Sequence, residues 1–202
     1  MIELRNLSKS FATADGQVDA LDAGFEINKA LLTEVEEKYL PRANVIAVNG
    51  DNVDADLTKA LVAAALSQQV KDYITQTYAG AVISVVENPT DGYDPDVDYD
   101  ALAGSTLVIA ATPAPHAQIL EIVKEILAEK DISLDIAVFT GYTEENPAVD
   151  AGDAYANYFQ HQPYLDDYVA ETGGNVVSVA IVHTEPMGLY GGRQADLSAL
   201  GK

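Results

Sequence analysis

Residues 157–165 bring together side chains that could contact a small molecule. The stretch holds three aromatic rings (Tyr158, Phe159 and Tyr164), His161 and several side-chain amides, among them Asn157. This mixture is too polar for a buried strand and too aromatic for a solvated loop. Rings that supply contact area, with a few polar groups that fix orientation, are typical of the wall of a small-molecule pocket.

Other residue types that carry chemistry are sparse. The three histidines, at 116, 161 and 183, share neither helical nor strand spacing, so we predict no metal site. The chain has no cysteine, which excludes disulfides, thiolate ligands and cysteine nucleophiles. No catalytic triad or dyad has a motif behind it, and Glu144 and Glu145 are expected to lie in a solvated loop. We therefore expect no enzyme activity and no cofactor.

Composition sets further limits on function. The 202 residues are 48% hydrophobic, enough for a core, and carry a formal net charge of −21. Such an acidic surface repels phosphate backbones, so nucleic-acid binding is not expected. No apolar run is long enough to span a membrane, and residues 1–5 do not resemble a signal peptide. From the sequence we expect a soluble chain.

The elements that must position these residues follow from hydrophobic periodicity. Residues 1–28 predict short strands with a hairpin near Asp15-Gly16, residues 44–48 a buried strand, and residues 56–78 one or two helices. A short strand or an extended tail is predicted at 81–86. After residue 104, strands at 107–110, 134–139 and 176–182 alternate with helices at 117–129 and 155–171. Alternating strands and helices predict a largely parallel sheet covered by helices, with ligands at the carboxyl ends of its strands.

Residues 87–104 predict an acidic linker. The segment is rich in aspartate and contains Pro89, Gly92 and Pro95 but no basic residue. Such composition favours turns and extended chain. A calcium loop is the alternative, but the spacing lacks the EF-hand pattern with its closing glutamate.

Three motifs resemble one family. Residues 112–117, 157–165 and 182–190, in this order and spacing, are similar to the NlpA family of methionine-binding lipoproteins, the solute receptors of bacterial methionine ABC importers. The resemblance implies an α/β fold: a single lobe of the type II periplasmic-binding-protein kind, with a mostly parallel sheet and flanking helices. The family is extracytoplasmic and anchored through a lipidated cysteine, which this chain lacks.

The family's segments occur here in an inverted order. Residues 105–202 resemble its N-terminal half and residues 30–86 its C-terminal part, joined by the linker at 87–104. We therefore expect a circular permutant of one lobe with most of the second lobe missing. Residues 1–29 form a strand-rich segment that resembles the start of the importer's ATPase subunit, although no phosphate loop follows. Residues 22–28 also resemble the receptor's hinge segment, and the two alternatives remain open.

The resemblance implies a set of ligand contacts. Carried over by motif, the candidates are Asn28, Tyr142, Asn157, Tyr158, Phe159, His161, Tyr164 and His183. For Tyr158, Phe159 and Tyr164 the alternative is ordinary helix packing, and for His116 a structural role is expected. The family's second-lobe arginine, which pairs with the ligand carboxylate, has no counterpart here, and residues 143–145 depart from the family's loop.

The sequence thus predicts a weak solute-binding module for L-methionine or a similar small amino acid. The resemblance implies an ABC importer permease as a partner, and the uncovered apolar cleft face would suit contact with a second copy of the chain. The alternative function is a structural or interaction module that keeps the lobe but binds no ligand.

Overall fold

The structure, a computed structural model, describes residues 30–36 and 40–190, together with the backbone of two short strands at 11–13 and 16–18. These two strands, β1 (Phe11–Thr13) and β2 (Gly16–Val18), pair antiparallel, as the hairpin prediction required. β3 (Leu32–Thr33) pairs with β10 (Gly188–Leu189) at the far end of the chain. None of the helices in these ranges is long and apolar enough to cross a bilayer.

A six-stranded sheet forms the centre of the lobe. Its strands are β4 (Asn44–Asn49), β5 (Ile83–Ser84), β6 (Thr106–Ala111), β7 (Ser133–Val138), β8 (Ala156–His161) and β9 (Val176–Thr184), in the order β5-β9-β4-β8-β6-β7. β6 runs parallel to β7 and β8, whereas β4 runs antiparallel to β8 and β9, as does β5 to β9. The α/β prediction is confirmed, but the sheet is mixed rather than mostly parallel, because β4 and β5 enter it from the other end.

Helices cover both faces of this sheet. The helices are α1 (Asp56–Ala65), α2 (Gln68–Tyr78), α3 (Tyr99–Leu102), α4 (Gln118–Ala128), α5 (Glu145–Ala151) and α6 (Gln162–Thr172). The larger core lies on the side of α1, α2 and α4, and a smaller one under α5 and α6. Strand alternation divides the residues between the two cores, so Ile46 and Val48 face the first and Ala47 the second.

One predicted helix is partly wrong. Residues 155–171 were expected to be helical, but 156–161 form the central strand β8 and only 162–172 are helix. The helix begins at His161, whose Nδ1 accepts the Tyr164 N–H at 3.2 Å, with Pro163 in the first turn. It ends at Gly173, whose φ of 73° is the left-handed conformation that glycine adopts without strain.

The acidic segment at 87–104 is ordered against the lobe rather than extended. Thr90 forms a parallel bridge with Ser67, and Val97 is buried. The rings of Tyr93 and Tyr99 pack edge to face with their centroids 5.5 Å apart, and the Lys130 ammonium lies 4.4 Å from the Tyr93 centroid. The Lys130 cation, just after α4, thus holds the two rings of this acidic segment against the lobe.

Candidate functional site

Strand β8 positions the residues of the candidate motif. It pairs with β4 along its length and with β6 over residues 156–158. Against β4 the register shifts: Val45 opposes Gln160 and Ile46 opposes Tyr158, which leaves Phe159 as an extra residue. A bulge of this kind bends a strand and redirects its side chains. The bulge places Phe159 and the amide of Gln160 on the α5 side, where both find their partners.

Four rings form an aromatic cluster at the carboxyl end of β8: Tyr142, Phe159, His161 and Tyr164. The Phe159 centroid lies 6.4 Å from Tyr142 and 5.8 Å from Tyr164, and His161 lies 6.5 Å from Tyr164. The Tyr164 hydroxyl donates a hydrogen bond to the backbone carbonyl of Tyr142, which ties helix α6 to the loop after β7. Phe159 is buried, whereas Tyr142 is 49% and Tyr164 37% exposed. The cluster therefore presents an open aromatic surface.

A buried amide network lies beside the aromatic cluster. It consists of Asn146, Asn157 and Gln160, all at most 3% exposed. Asn146 Oδ1 accepts from Asn157 Nδ2 at 2.9 Å and from Gln160 Nε2 at 2.6 Å, and Asn146 Nδ2 donates to Gln160 Oε1 at 2.8 Å. Each amide uses both its donor and its acceptor within the network or on nearby backbone, which is how buried polar groups become tolerable. The network holds β8 against the start of α5.

Glu145 is buried next to this network, which corrects the prediction of a solvated loop for Glu144 and Glu145. Glu144 is exposed, but Glu145 has no exposed surface. Its Oε2 accepts the Glu144 N–H at 3.2 Å, while Oε1 has no partner among the described residues. Burial raises the pKa of the Glu145 carboxyl, partly opposed by backbone N–H donors.

The opposite face of the sheet holds a different group of polar rings. Tyr158 and His183 have no exposed surface, and His116 is 5% exposed. The His116 ring lies 4.7 Å from Tyr158 and 5.0 Å from His183, and the Tyr158 hydroxyl is hydrogen-bonded to His183 Nδ1. Burial raises the pKa of Tyr158 well above its usual value. These residues belong to the larger core and its edge.

The structure thus divides the candidate residues into two sets. Tyr142, Phe159, His161 and Tyr164 meet in the aromatic cluster, and Asn157 lies in the network beside them. Tyr158 and His183 lie across the sheet, and His183 falls within β9 rather than past its end. Asn28 lies outside the described residues.

Sequence reasoning missed three polar residues of this region. Glu145, Asn146 and Gln160 are all buried beside the aromatic cluster. A signal for the amides existed, because Asn157 and Gln160 sit within a run whose neighbours are apolar or aromatic, but the strand had been assigned as helix. No sequence signal separates buried Glu145 from exposed Glu144.

A separate open depression of about 470 Å³ lies at the other end of the sheet. It is lined by the end of β4, the starts of β6 and β8 and the end of α5, including Asp51, Asp150 and Asp153. It sits near the amino ends of the parallel strands, whereas ligands of such sheets bind at the carboxyl ends. The aromatic cluster, at the carboxyl end of β8, is the better candidate on this criterion.

Comparisons with known proteins agree with the motifs. The model of the family described as NlpA lipoprotein matches residues 2–86 and 107–202. The membrane lipoprotein TpN32 of Treponema pallidum is 42% identical over 85 residues, which are 42% of this chain and 32% of the relative. The methionine-binding lipoprotein MetQ of Bacillus subtilis is 41% identical over 85 residues, 42% of this chain and 31% of the relative. The chain spans about a third of the length of these curated relatives.

A solved structure supports the fold. The phosphate-binding protein of a phosphate ABC transporter from Streptococcus pneumoniae superposes with a TM-score of 0.51 at 16% identity, covering 72% of this chain and 50% of that chain. At this identity the likeness concerns the fold alone. It confirms the predicted α/β lobe of the periplasmic-binding-protein kind.

Proposed function

The chain belongs to the NlpA lipoprotein family, and from that premise we propose that it is a non-enzymatic solute-binding module for methionine or a related amino acid. The observation that carries this proposal is the half-open aromatic cluster of Tyr142, Phe159, His161 and Tyr164 at the carboxyl end of β8. The related Bacillus subtilis protein is named as methionine-binding, and methionine binding by this chain is part of the proposal.

The chemistry of the aromatic cluster suits a thioether side chain. Sulfur makes favourable contacts with ring edges about 5 Å away, and the three phenyl rings are set at different angles, so edges and faces are both offered. An α-amino group would be attracted to ring faces or to carbonyl oxygens nearby. Because His161 Nδ1 caps helix α6, its ring is held in place rather than free to rotate.

The same geometry predicts weak affinity. Small-molecule sites usually bury 70–90% of the ligand, as a rough guide, whereas Tyr142 and Tyr164 remain 49% and 37% exposed. Arg42, in the turn at 40–42 that packs beside α6, already forms an ion pair with Glu34. A dissociation constant of about 1 mM corresponds to roughly −4 kcal/mol, which one aromatic surface could supply.

The arrangement of the chain is also a proposal. Residues 30–86 contribute β4 and β5, and residues 105–202 contribute β6 to β9, to the same sheet. The family match falls into two intervals on either side of 87–106, which is compatible with two receptor segments joined by the acidic segment. Extracytoplasmic placement, as in relatives named membrane lipoproteins, and docking to an ABC importer permease belong to the same proposal.

The test is a melting curve and a calorimetric titration with L-methionine, with L-norleucine as a sulfur-free analogue. We expect L-methionine at tens of millimolar to raise Tm, and norleucine to bind more weakly.

Asparagine is a good N-cap, so His161→Asn removes the imidazole but keeps the cap. It should lose methionine binding at unchanged stability. Tyr73→Phe, on the opposite face, should bind as the wild type does.

Two outcomes would contradict parts of this proposal. Sub-micromolar affinity would overturn the inference that an open site binds weakly. No shift at any concentration, together with dimers in sedimentation that Tyr142→Ser disrupts, would favour the scaffold alternative, because an exposed aromatic surface also suits a protein contact.

A further inference from the structure

The histidines on the core side of the sheet have a property that packing does not explain. His183 Nε2 is buried and has no hydrogen-bond partner among the described residues, and it lies 3.5 Å from Glu185 Oε1. One ligand atom each from His116, His183 and Glu185 fall within 4.8 Å of one another. Buried polar atoms are nearly always paired in folded proteins, so an orphan beside two further ligand-type groups indicates a missing partner.

The outer contacts of the two histidines match those of metal-bound imidazoles. His116 Nδ1 is 2.7 Å from Thr112 Oγ1, and His183 Nδ1 is hydrogen-bonded to the Tyr158 hydroxyl. A metal-bound histidine typically uses its second ring nitrogen in this way, which fixes the tautomer and the ring orientation. His183 Nε2 is then left without a hydrogen-bond partner among the described residues, whereas His116 Nε2 is hydrogen-bonded to Asn44 Oδ1 and would exchange that bond for the ion.

We propose that His116, His183 and Glu185 bind a divalent transition-metal ion of the zinc class. Zinc–ligand bonds of about 2.0–2.1 Å make the edge of a tetrahedron about 3.3 Å. The His183–Glu185 distance of 3.5 Å already fits such an edge, and closing a spacing of 4.8 Å to that edge needs a movement of about 1.5 Å. Asn44 Oδ1, 3.0 Å from His116 Nε2, is a further oxygen beside the site.

The donor set decides the class of ion. Two imidazoles and one carboxylate favour zinc and its neighbours, whereas magnesium and calcium take oxygen ligands. The side chain of Glu185 is 26% exposed, which provides a route for the ion to two otherwise buried rings. The site links the end of β9 to the turn at 113–117, across the sheet from the aromatic cluster, so it is independent of methionine binding.

The test uses tag-free full-length protein stripped with a chelator and titrated with Zn²⁺ in calorimetry and melting curves. Millimolar Mg²⁺ is present throughout, because a net charge of −21 attracts cations to surface carboxylates. Co²⁺ serves as a spectroscopic probe, since a four-coordinate site gives visible absorption bands far more intense than those of Co²⁺ held loosely by surface carboxylates and water. We expect one equivalent of Zn²⁺ to bind and to raise Tm.

Glu185→Gln decides the outcome, because this partly exposed residue can be changed without opening the core. It should weaken Zn²⁺ binding at least tenfold and remove the Tm shift, and His183→Gln should do the same if it folds. Glu171→Gln, an exposed acid on α6, is the matched control and should bind as the wild type does. Equal affinity in the wild type and Glu185→Gln, or no binding above the Mg²⁺ background, would overturn the proposal.

Discussion

Tyr158 and Phe159 are neighbours in one motif, yet they lie in two different regions of the molecule. Tyr158 has no exposed surface and contacts His116 and His183 in the larger core. Phe159 faces the other side, where it packs between the partly exposed rings of Tyr142 and Tyr164. Successive side chains of a strand point to opposite faces, so a motif read as one binding surface is divided in two.

Only one face of the strand offers residues of the motif that a ligand can touch. Residues on the core side are constrained by packing and buried hydrogen bonds, and changing them should mainly alter stability. Tyr142 and Tyr164 of the aromatic cluster are partly exposed, and changing them should mainly alter binding. Substitutions on the two faces should therefore differ in how much they change the free energy of unfolding.

The largest effect is expected for Tyr158→Ala. Removing a fully buried ring leaves a cavity and an unpaired His183 Nδ1, which together should cost about 3–5 kcal/mol. Tyr164→Ala, at the exposed side, should cost about 1 kcal/mol or less. Urea unfolding with comparable slopes measures both. Similar losses for the two variants would mean that the faces do not differ in packing as described.

Asn146→Ala should give the next largest loss. It removes the oxygen that accepts from both Asn157 and Gln160 and leaves two buried donors without their partner. An unsatisfied buried group costs about 1–3 kcal/mol, and we expect about 2 kcal/mol here. Asn88→Ala, at an exposed position, is the control and should change stability by less than about 0.5 kcal/mol. A loss no greater than the control's would argue that the amide network contributes nothing to stability.

Glu145→Gln should be stabilising at neutral pH. Because burial raises the folded-state pKa above the reference value of 4.5, ionisation of Glu145 destabilises the fold above that pH and has no effect well below it. The substitution should therefore be stabilising at pH 7, and the gain should vanish as the pH falls below 4.5. Urea unfolding between pH 4 and 8 measures this dependence. The exposed neighbour variant Glu144→Gln should show no comparable gain; equal profiles would contradict the burial of Glu145.

Much of the fold could be predicted because local patterns and tertiary packing agree. The amphipathic stretch that became α4 and the buried apolar strand β4 both appear with nearly the predicted bounds. β8 was missed because its polar residues, Asn157 and Gln160, also need Asn146 as a partner, and Asn146 reaches them only once α5 is packed against the strand. Asn146 lies more than ten residues away along the chain, and such a contact leaves no periodicity in the sequence.

The candidate site could be predicted only in part. The motifs identified Phe159, His161 and Tyr164 together with Tyr142. They could not show that Tyr158 and His183 lie on the other face of the sheet, because residues 156–161 were not recognised as a strand. The approach of His116 to His183 depends on where β9 ends beside the turn at 113–117. Spacing of 67 residues along the chain carries no information about such a contact.

The smallest change in stability is expected for Tyr164→Phe, which also tests the binding side most directly. The hydroxyl donates to the Tyr142 carbonyl at the surface, where water can replace the lost bond, so unfolding should change by about 0.5 kcal/mol or less. The bond nevertheless holds the Tyr142 loop against α6, so its loss should loosen the aromatic cluster and weaken methionine binding several-fold. Calorimetry measures the affinity, and Tyr73→Phe controls for hydroxyl loss on the opposite face. If Tyr164→Phe lowers stability by more than 1 kcal/mol while affinity is unchanged, the aromatic cluster is a packing element and the division between the two faces does not separate binding from stability.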